Sequence, residues 1–349
     1  MANKKVLIII LCYNGADYLR DCLSSLAKIT YSKDSFEILV VDNGSTDNSI
    51  EYLKNNWPEA KLIKLPKNIG FAAGNNVGIR HAINRGFSYV YLLNQDTTVE
   101  PDFLEQAVRV GESDKKIGAV QSKILLHGDK EKINSIGNEI HYLGFAFAGG
   151  YKTPDSNLQT KEITYPSGAA SLWKASALKD VGLFNEDFFM YHEDTDLGWR
   201  FWLAGYKVML APKSTVYHKY EFSRSIKKYY YMERNRYLVI FQNYKLATIF
   251  VLFPALVLMD AVLIVYSFLS GFWREELKAY TYLFNPVNLE KMRATRKKVQ
   301  EKRKLPDREV VKRFVGRIDF QDVENPLMVY IGNPVFDLYW QAIKRLIWW

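Results

Sequence analysis

Three carboxylates and a histidine fall within five residues in the stretch Tyr191-His192-Glu193-Asp194-Thr195-Asp196-Leu197-Gly198-Trp199-Arg200, beside Phe188 and Phe189. Acids set among aromatics suit a pocket wall with a charged floor, where a carboxylate can take a proton. The competing reading is a helix N-terminus, where the macrodipole favours acids. Three further polar clusters each follow an apolar run: Cys12-Tyr13-Asn14-Gly15, Asp42-Asn43-Gly44-Ser45 and Asn94-Gln95-Asp96-Thr97-Thr98. Their acids and amides suit hydrogen bonding to a base, a ribose and a metal, although such residues are also ordinary turn formers. None of these turns is GxGxxG or a Walker loop, which disfavours dinucleotide and ATP sites.

The elements that must position these residues alternate. Residues 4–11 read as a strand buried on both faces, as in a parallel sheet. Residues 17–28 have helical spacing, and 36–41 form a second strand. Ser45 or Thr46 is the expected cap of the next helix. Residues 61–65 are a third strand, 68–85 a helix opening on Asn68-Ile69-Gly70, and 89–93 a fourth strand. Pro101 is expected to start another helix. Alternation with short loops predicts a doubly wound α/β sheet, whose ligands sit beyond the carboxyl ends of its strands. The three polar clusters all fall at those ends. Farther on, 118–126 reads as a strand, 144–151 as a loop or hairpin, and 174–181 as a helix. Residues 197–204 are a helix stopped by Gly205, followed by strands at 206–211 and 216–218. The small residues of Tyr165-Pro166-Ser167-Gly168-Ala169-Ala170 let a ligand approach the backbone closely.

The 349 residues carry a net charge of +9 and are 48% hydrophobic, the composition of a folded chain. Residues 1–220 hold 25 basic and 25 acidic side chains, and 221–349 hold 22 and 13, so the excess is C-terminal. Cys12 and Cys22 make no disulfide framework, and the opening MANKKVLIII reads as a strand rather than a signal peptide. A cytoplasmic catalytic part is therefore expected.

The set CYNG (12–15), VDNGSTD (41–47), NIGFAAGNN (68–76), LLNQDTT (92–98), SGAASLWKASAL (167–178) and VGLFNEDFFMYHEDTDLGWR (181–200) resembles the inverting family 2 glycosyltransferases of the GT-A fold, in their rhamnosyl- and galactofuranosyl-transferase-like branch. The resemblance covers about residues 4–245. It implies a nucleotide-sugar donor, dTDP-rhamnose or a UDP-sugar, bound by Tyr13, Asn14, Asp42, Asn43, Asn75, Asn94 and Gly168, with Asp42 on the base or ribose. Asp96 would be the last acid of a DxD-type motif, which reads NxD here because Asn94 replaces the first acid. His218 matches a metal ligand of the branch, beside the reading of a strand-end histidine satisfied by hydrogen bonds. Mg²⁺ or Mn²⁺ suits such oxygen ligands, and a histidine favours Mn²⁺. Asp194 would be the general base and Glu193 its support or an acceptor contact. Asp196 is expected to cap the following helix, and Arg200 to be structural.

Residues 224–236 read as a basic, aromatic helix. Arg234 is the candidate for a diphosphate of donor or lipid-linked acceptor, since a guanidinium pairs phosphate bidentately; the alternative is a solvated face. Residues 246–273 are apolar enough to span a bilayer, interrupted by Pro254 and Asp260. Basic residues on both flanks favour a bent hairpin or in-plane helices on the cytoplasmic face. A soluble dimerisation pair, hence a homodimer, is the alternative. Residues 291–304 read as a basic helix or linker. Phe336, Tyr339, Trp340, Ile343 and Ile347 recur at helical spacing, as for an interfacial helix or one packed on the catalytic domain.

The expected organisation is thus a GT-A domain at 1–220, membrane-associating helices at 221–290, and a basic linker with an amphipathic helix at 291–349. The acceptor is expected to be a lipid-linked or other glycan, with a membrane surface as partner and no nucleic acid. The rival readings are a nucleotidyltransferase and a non-catalytic basic protein that binds membrane or nucleic acid. The first would carry a Gly-rich basic loop after the first strand, and CYNGADY is not one.

Overall fold

The computed structural model describes residues 4–220, 226–319 and 326–349. Residues 1–3 and the first two positions of the expected basic helix, 224 and 225, lie outside the described residues. The chain divides into two compact units. Among the described residues the first comprises 4–138, 148–189 and 206–220, and the second 139–147, 190–205, 226–319 and 326–349. This division departs from an expected boundary near 220, because the acidic stretch groups with the later helices.

The first unit is built on one mixed sheet. Its strands are β1 (Val6–Cys12), β2 (Phe36–Asp42), β3 (Lys61–Lys64), β4 (Tyr89–Asn94), β5 (Thr97–Val99), β6 (Ile117–Leu126) and β7 (Asp129–Ser135). After the short β8 (Asn138–Ile140) and β9 (Ala146–Ala148), which pair with each other, come β10 (Lys161–Glu162), β11 (Ala170–Lys174) and β12 (Lys207–His218). The order β10-β12-β6-β11-β4-β1-β2-β3 has the expected parallel half, β4-β1-β2-β3. The other half departs from a doubly wound sheet: β11 runs antiparallel to both β4 and β6. β1, VLIIILC, is buried along nearly its whole length because helices cover both faces. Those helices are α1 (Ala16–Leu26), α2 (Ser49–Asn56), α3 (Phe71–Asn84), α4 (Phe103–Glu112) and α5 (Ala175–Val181).

Register levels the strand ends. Cys12 pairs with Asp42 and Leu11 with Asn94, so the three polar clusters leave the sheet side by side. The expected strands at 206–211 and 216–218 are one strand, β12, with its irregularity between Ala211 and Thr215, where Pro212 cannot donate to the ladder. That strand continues to β5 and sets His218 opposite Thr97.

Two expected helix starts are displaced. The N-cap of α2 is Asn48, since Ser45 and Thr46 are drawn into the preceding loop. Helix α4 starts at Phe103 with Asp102 as N-cap, while the Pro101 carbonyl accepts from Thr30. Both cysteines are free and buried.

The second unit is helical: α6 (Glu193–Leu203), α7 (Ile226–Asn243), α8 (Leu246–Leu269), α9 (Trp273–Phe284), α10 (Pro286–Lys302), α11 (Asp307–Val310) and α12 (Asn333–Ile343). Helix α6 begins four residues before the expected Leu197, so Asp196 lies within it and does not cap it. No hairpin forms in the apolar segment: α8 is one continuous helix despite Pro254. Its acid is paired, because Asp260 Oδ1 lies 3.0 Å from Arg236 of α7. The basic run is no linker. Asn285 caps α10, and Arg296, Gln300 and Arg303 donate to carbonyl oxygens of residues 241–244, the C-terminal end of α7. The aromatic face of α12 is turned inward: Trp340 stacks on Tyr142 at 4.7 Å, and the Tyr339 hydroxyl donates to Val251 O at 2.8 Å.

Candidate donor site and acidic turn

At the carboxyl edge of the first unit's sheet the polar clusters are tied to one another. The Tyr13 N–H donates to Gln95 Oε1 at 3.0 Å, and Gln95 Nε2 returns a bond to Tyr13 O at 3.2 Å. The Asn14 N–H donates to Ser45 Oγ at 2.9 Å, and Asn14 Oδ1 accepts from Thr46 N at 2.9 Å. These bonds hold Asn14 at φ 48, a left-handed conformation that asparagine tolerates. The Tyr13 ring stays 44% exposed, as a face on which a base can stack.

Asp42 is fully buried beneath this edge. Its Oδ1 accepts from Ser45 N at 3.0 Å, and its Oδ2 has no hydrogen-bond partner. A buried carboxylate oxygen without a donor is costly, and such an atom at a ligand edge fits a ligand N–H or hydroxyl. Asn43 is already engaged: its Nδ2 donates to Asn68 Oδ1 and Gly70 O, and its Oδ1 accepts from Ile69 N. Asn75 is buried in α3 and donates to Phe71 O. Gly168 faces the Phe71 ring, which a Cβ there would meet at 3.1 Å. Asn94 ends β4, with its N–H on Ala169 O.

Asp96 and His218 are brought together by the β5–β12 pairing. His218 Nε2 lies 3.3 Å from Asp96 Oδ1, near enough for an ion pair but without hydrogen-bond alignment, so Nε2 has no hydrogen-bond partner. His218 Nδ1 lies 3.0 Å from Asn134 Oδ1. An amide oxygen can only accept, which places the proton on Nδ1 and, in the neutral ring, turns the Nε2 lone pair toward the carboxylate. Two electron-rich groups facing each other, with the outer nitrogen braced by an amide, is the donor arrangement that fits a divalent cation. Among the described residues no group of three or more His, Cys, Asp or Glu is placed to hold a metal. A cation here would draw its other ligands from water or a bound phosphate, as Mg²⁺ and Mn²⁺ do in phosphate sites. Asn134 and Gln95 were not singled out by sequence. Asn134 lies in a stretch without readable period, whereas Gln95 sat inside a recognised motif.

The acidic turn belongs to the second unit. Its three acids have three environments. Asp196 is buried, with Oδ2 accepting from Arg200 Nε at 2.8 Å and Oδ1 from Asn243 Nδ2 at 2.9 Å, so both residues are structural. Glu193 is buried with Oε2 unpartnered, and burial together with the neighbouring Asp194 charge holds its carboxyl well above the usual carboxylate range. Its environment thus disfavours the charged carboxylate relative to that of an exposed acid. Asp194 is half-exposed, with Oδ1 accepting from Thr195 N at 2.8 Å. Burial and Arg236 lower the His192 imidazole to about 3, so it is neutral.

Arg234 is not on a solvated face. It is 6% exposed, its guanidinium lies 4.8–5.3 Å from the centres of the Tyr230, Tyr231 and Tyr282 rings, and its Nε donates to Asn235 Oδ1.

The model of a family described as "Glycosyl transferase family 2" matches residues 7–182. A poly-beta-1,6-N-acetyl-D-glucosamine synthase of Staphylococcus aureus (strain MSSA476) is 30% identical over 211 residues, 59% of this chain and 48% of that protein. A synthase of the same name from Staphylococcus epidermidis is 30% identical over 206 residues, 58% of this chain and 47% of that one. The chain thus spans about half the length of these curated relatives. Among solved structures, S. aureus TarS 1–349 in complex with UDP aligns over 98% of this chain and 90% of that one, with TM-score 0.51 and 17% identity. GalNAc-T7 with UDP, GalNAc and Mn²⁺ aligns over 68% and 48%, with TM-score 0.56 and 14% identity. At such identities the likeness shows the fold, which is GT-A.

Proposed function

Since the chain belongs to glycosyl transferase family 2, we propose that it transfers a sugar from a nucleotide-sugar donor to an acceptor hydroxyl in a single displacement that inverts the anomeric centre. The observation that supports this most is the pair of buried acceptors without donors at one sheet edge, Asp42 Oδ2 and His218 Nε2. Asp42 accepts an N–H or hydroxyl of the nucleoside, and Tyr13 stacks on its base. Asn14 and Asn75 lie with Asp42 at the nucleoside, and Asn43, Asn94 and Gly168 belong to the same donor site. Asp96 and His218 are the residues that would hold Mn²⁺ or Mg²⁺. A divalent cation there offsets the charge that develops on the leaving diphosphate.

Asp194, the half-exposed acid, takes the proton of the attacking hydroxyl; one carboxylate suffices for inversion. Glu193, whose burial beside Asp194 disfavours its charged form, orients Asp194 or contacts the acceptor. Arg234 contacts a phosphate of donor or acceptor. The resemblance of the whole motif set to the rhamnosyl- and galactofuranosyl-transferase-like branch favours dTDP-rhamnose as donor. The neighbours named with UDP, and a Pyrobaculum calidifontis mannosyltransferase named with GDP-Man and Mn²⁺ (TM-score 0.50), make UDP- and GDP-sugars the competitors.

The acceptor is a lipid-linked glycan, reached from the cytoplasmic face of a membrane. Support comes from α8, a 24-residue helix long and apolar enough to cross a membrane. It is packed on its own unit by Thr248, Leu252, Ala255 and Met259 and leaves Phe250 (81%) and Leu269 (83%) exposed. Basic residues on both flanks of the segment favour attachment in the membrane plane over a single span.

The test is a donor screen with Mn²⁺ and Mg²⁺ and anomer analysis of the product, run beside Asp194→Asn. Loss of a general base costs roughly 100- to 10,000-fold in rate. A folded Asp194→Asn that keeps full transfer would remove the base assignment, and a retained anomer would remove the single displacement.

A further inference from the structure

Helix α6 starts from an unfavourable backbone. Tyr191 and His192 have φ of 66 and 65, both in the left-handed region that costs an L-residue with a full side chain, and neither is glycine. Their conformation directs where the first turn of α6, and with it Asp194, leaves the chain. Strained residues persist only where their surroundings over-determine them. Here one of the groups that hold the turn is a side chain. Asn235 of α7 is fully buried, and its Nδ2 donates to Met190 O at 2.9 Å and to Tyr191 O at 2.8 Å. Its own orientation is set by Arg234, whose Nε donates to Asn235 Oδ1 at 2.9 Å, so the amide cannot flip without turning an oxygen toward two carbonyls. Arg234 is in turn enclosed by three tyrosine rings.

We propose that Asn235 is a positioning residue for the candidate base: it clamps the left-handed turn that launches α6, and Arg234 acts through it by fixing the amide. The inference rests on the reading of Asp194 as base. It adds to Arg234 a role that needs no phosphate contact.

The experiment uses the full chain and four variants, Asn235→Ala, Tyr191→Gly, the two combined, and Asp194→Asn. Glycine adopts positive φ without penalty, so Tyr191→Gly removes part of the need for a clamp. Asn235→Ala is expected to lower kcat at least tenfold, with nucleotide Kd and binding stoichiometry unchanged. Hydrogen exchange at the amides of 193–196 is expected to accelerate. In the Tyr191→Gly background the same substitution should cost several-fold less, because the two changes act on one turn. An equal cost in both backgrounds, or unchanged exchange at 193–196, overturns the proposal. If Asn235→Ala does not fold, Asn235→Ser, whose hydroxyl can reach one carbonyl, is scored by the same criteria. Asp194→Asn separates the two failures. Full activity there sinks the base itself, whereas an inactive Asp194→Asn beside a wild-type-like Asn235→Ala sinks only the clamp.

Discussion

Replacing Asp42 by asparagine should move stability and ligand affinity in opposite directions. The Oδ1 bond from Ser45 N survives, since an asparagine oxygen accepts equally well. What changes is the second atom, a fully buried carboxylate oxygen with no partner in the ligand-free protein. Leaving a buried acceptor unmade costs about 1–3 kcal/mol, and more when it is charged. A neutral amide nitrogen in its place is cheaper to bury, so the ligand-free variant should gain on the order of 1 kcal/mol. With nucleotide bound the sign reverses. A uracil, thymine or guanine ring presents an N–H to the carboxylate, and an amide nitrogen there sets donor against donor. The lost charge-assisted bond is worth about 1.5–3 kcal/mol, or roughly 10- to 150-fold in Kd. Urea unfolding without ligand, and calorimetry with UDP, dTDP and GDP, measure the two halves. An Asp42→Asn protein that is less stable when ligand-free and binds each nucleotide as tightly as before would refute the idea that the orphaned oxygen waits for the base.

Three further outcomes are expected. His141 is fully buried, with Nδ1 accepting from Leu143 N and Nε2 on Gly316 O, and burial lowers it to about 3. The unfolded imidazole, near 6.5, binds the proton first, so stability is lost as pH falls below that value; at pH 5 this amounts to about 2 kcal/mol. His141→Gln should therefore flatten the difference in urea-unfolding stability between pH 7 and pH 5 by that amount. Asn134→Ala frees the His218 ring and should raise the Mn²⁺ concentration for half-maximal transfer roughly 10- to 100-fold, leaving metal-free nucleotide binding unchanged. Phe250→Glu on the exposed side of α8 should weaken binding to anionic vesicles, read by co-sedimentation, by roughly tenfold or more, since a buried phenylalanine contributes about 1.5–3 kcal/mol.

Sequence alone determined what depends on local order. The run VLIIILC reads as a buried strand because few structures accept that many consecutive apolar residues over so short a length. The polar residues that end β1, β2 and β4 mark the ligand edge because parallel strands all point their carboxyl ends one way. The motif order was legible for the same reason, since each motif is a short run of consecutive residues. The long-range pairings were not legible. Asn134 meets His218 across 84 residues and Asn235 meets Tyr191 across 44, and no periodicity encodes either contact. The antiparallel insertion of β11, the inward-facing aromatics of α12 and the pairing of Asp260 with Arg236 likewise follow from which surfaces cover each other. The acidic stretch joins both lessons. Its composition announced chemistry, but only burial separated its carboxylates into an Asp196 paired with Arg200, a buried Glu193 whose carboxyl is pushed upward and a half-exposed Asp194, because the cost of ionising an acid is set by the solvent and charges that folding leaves around it.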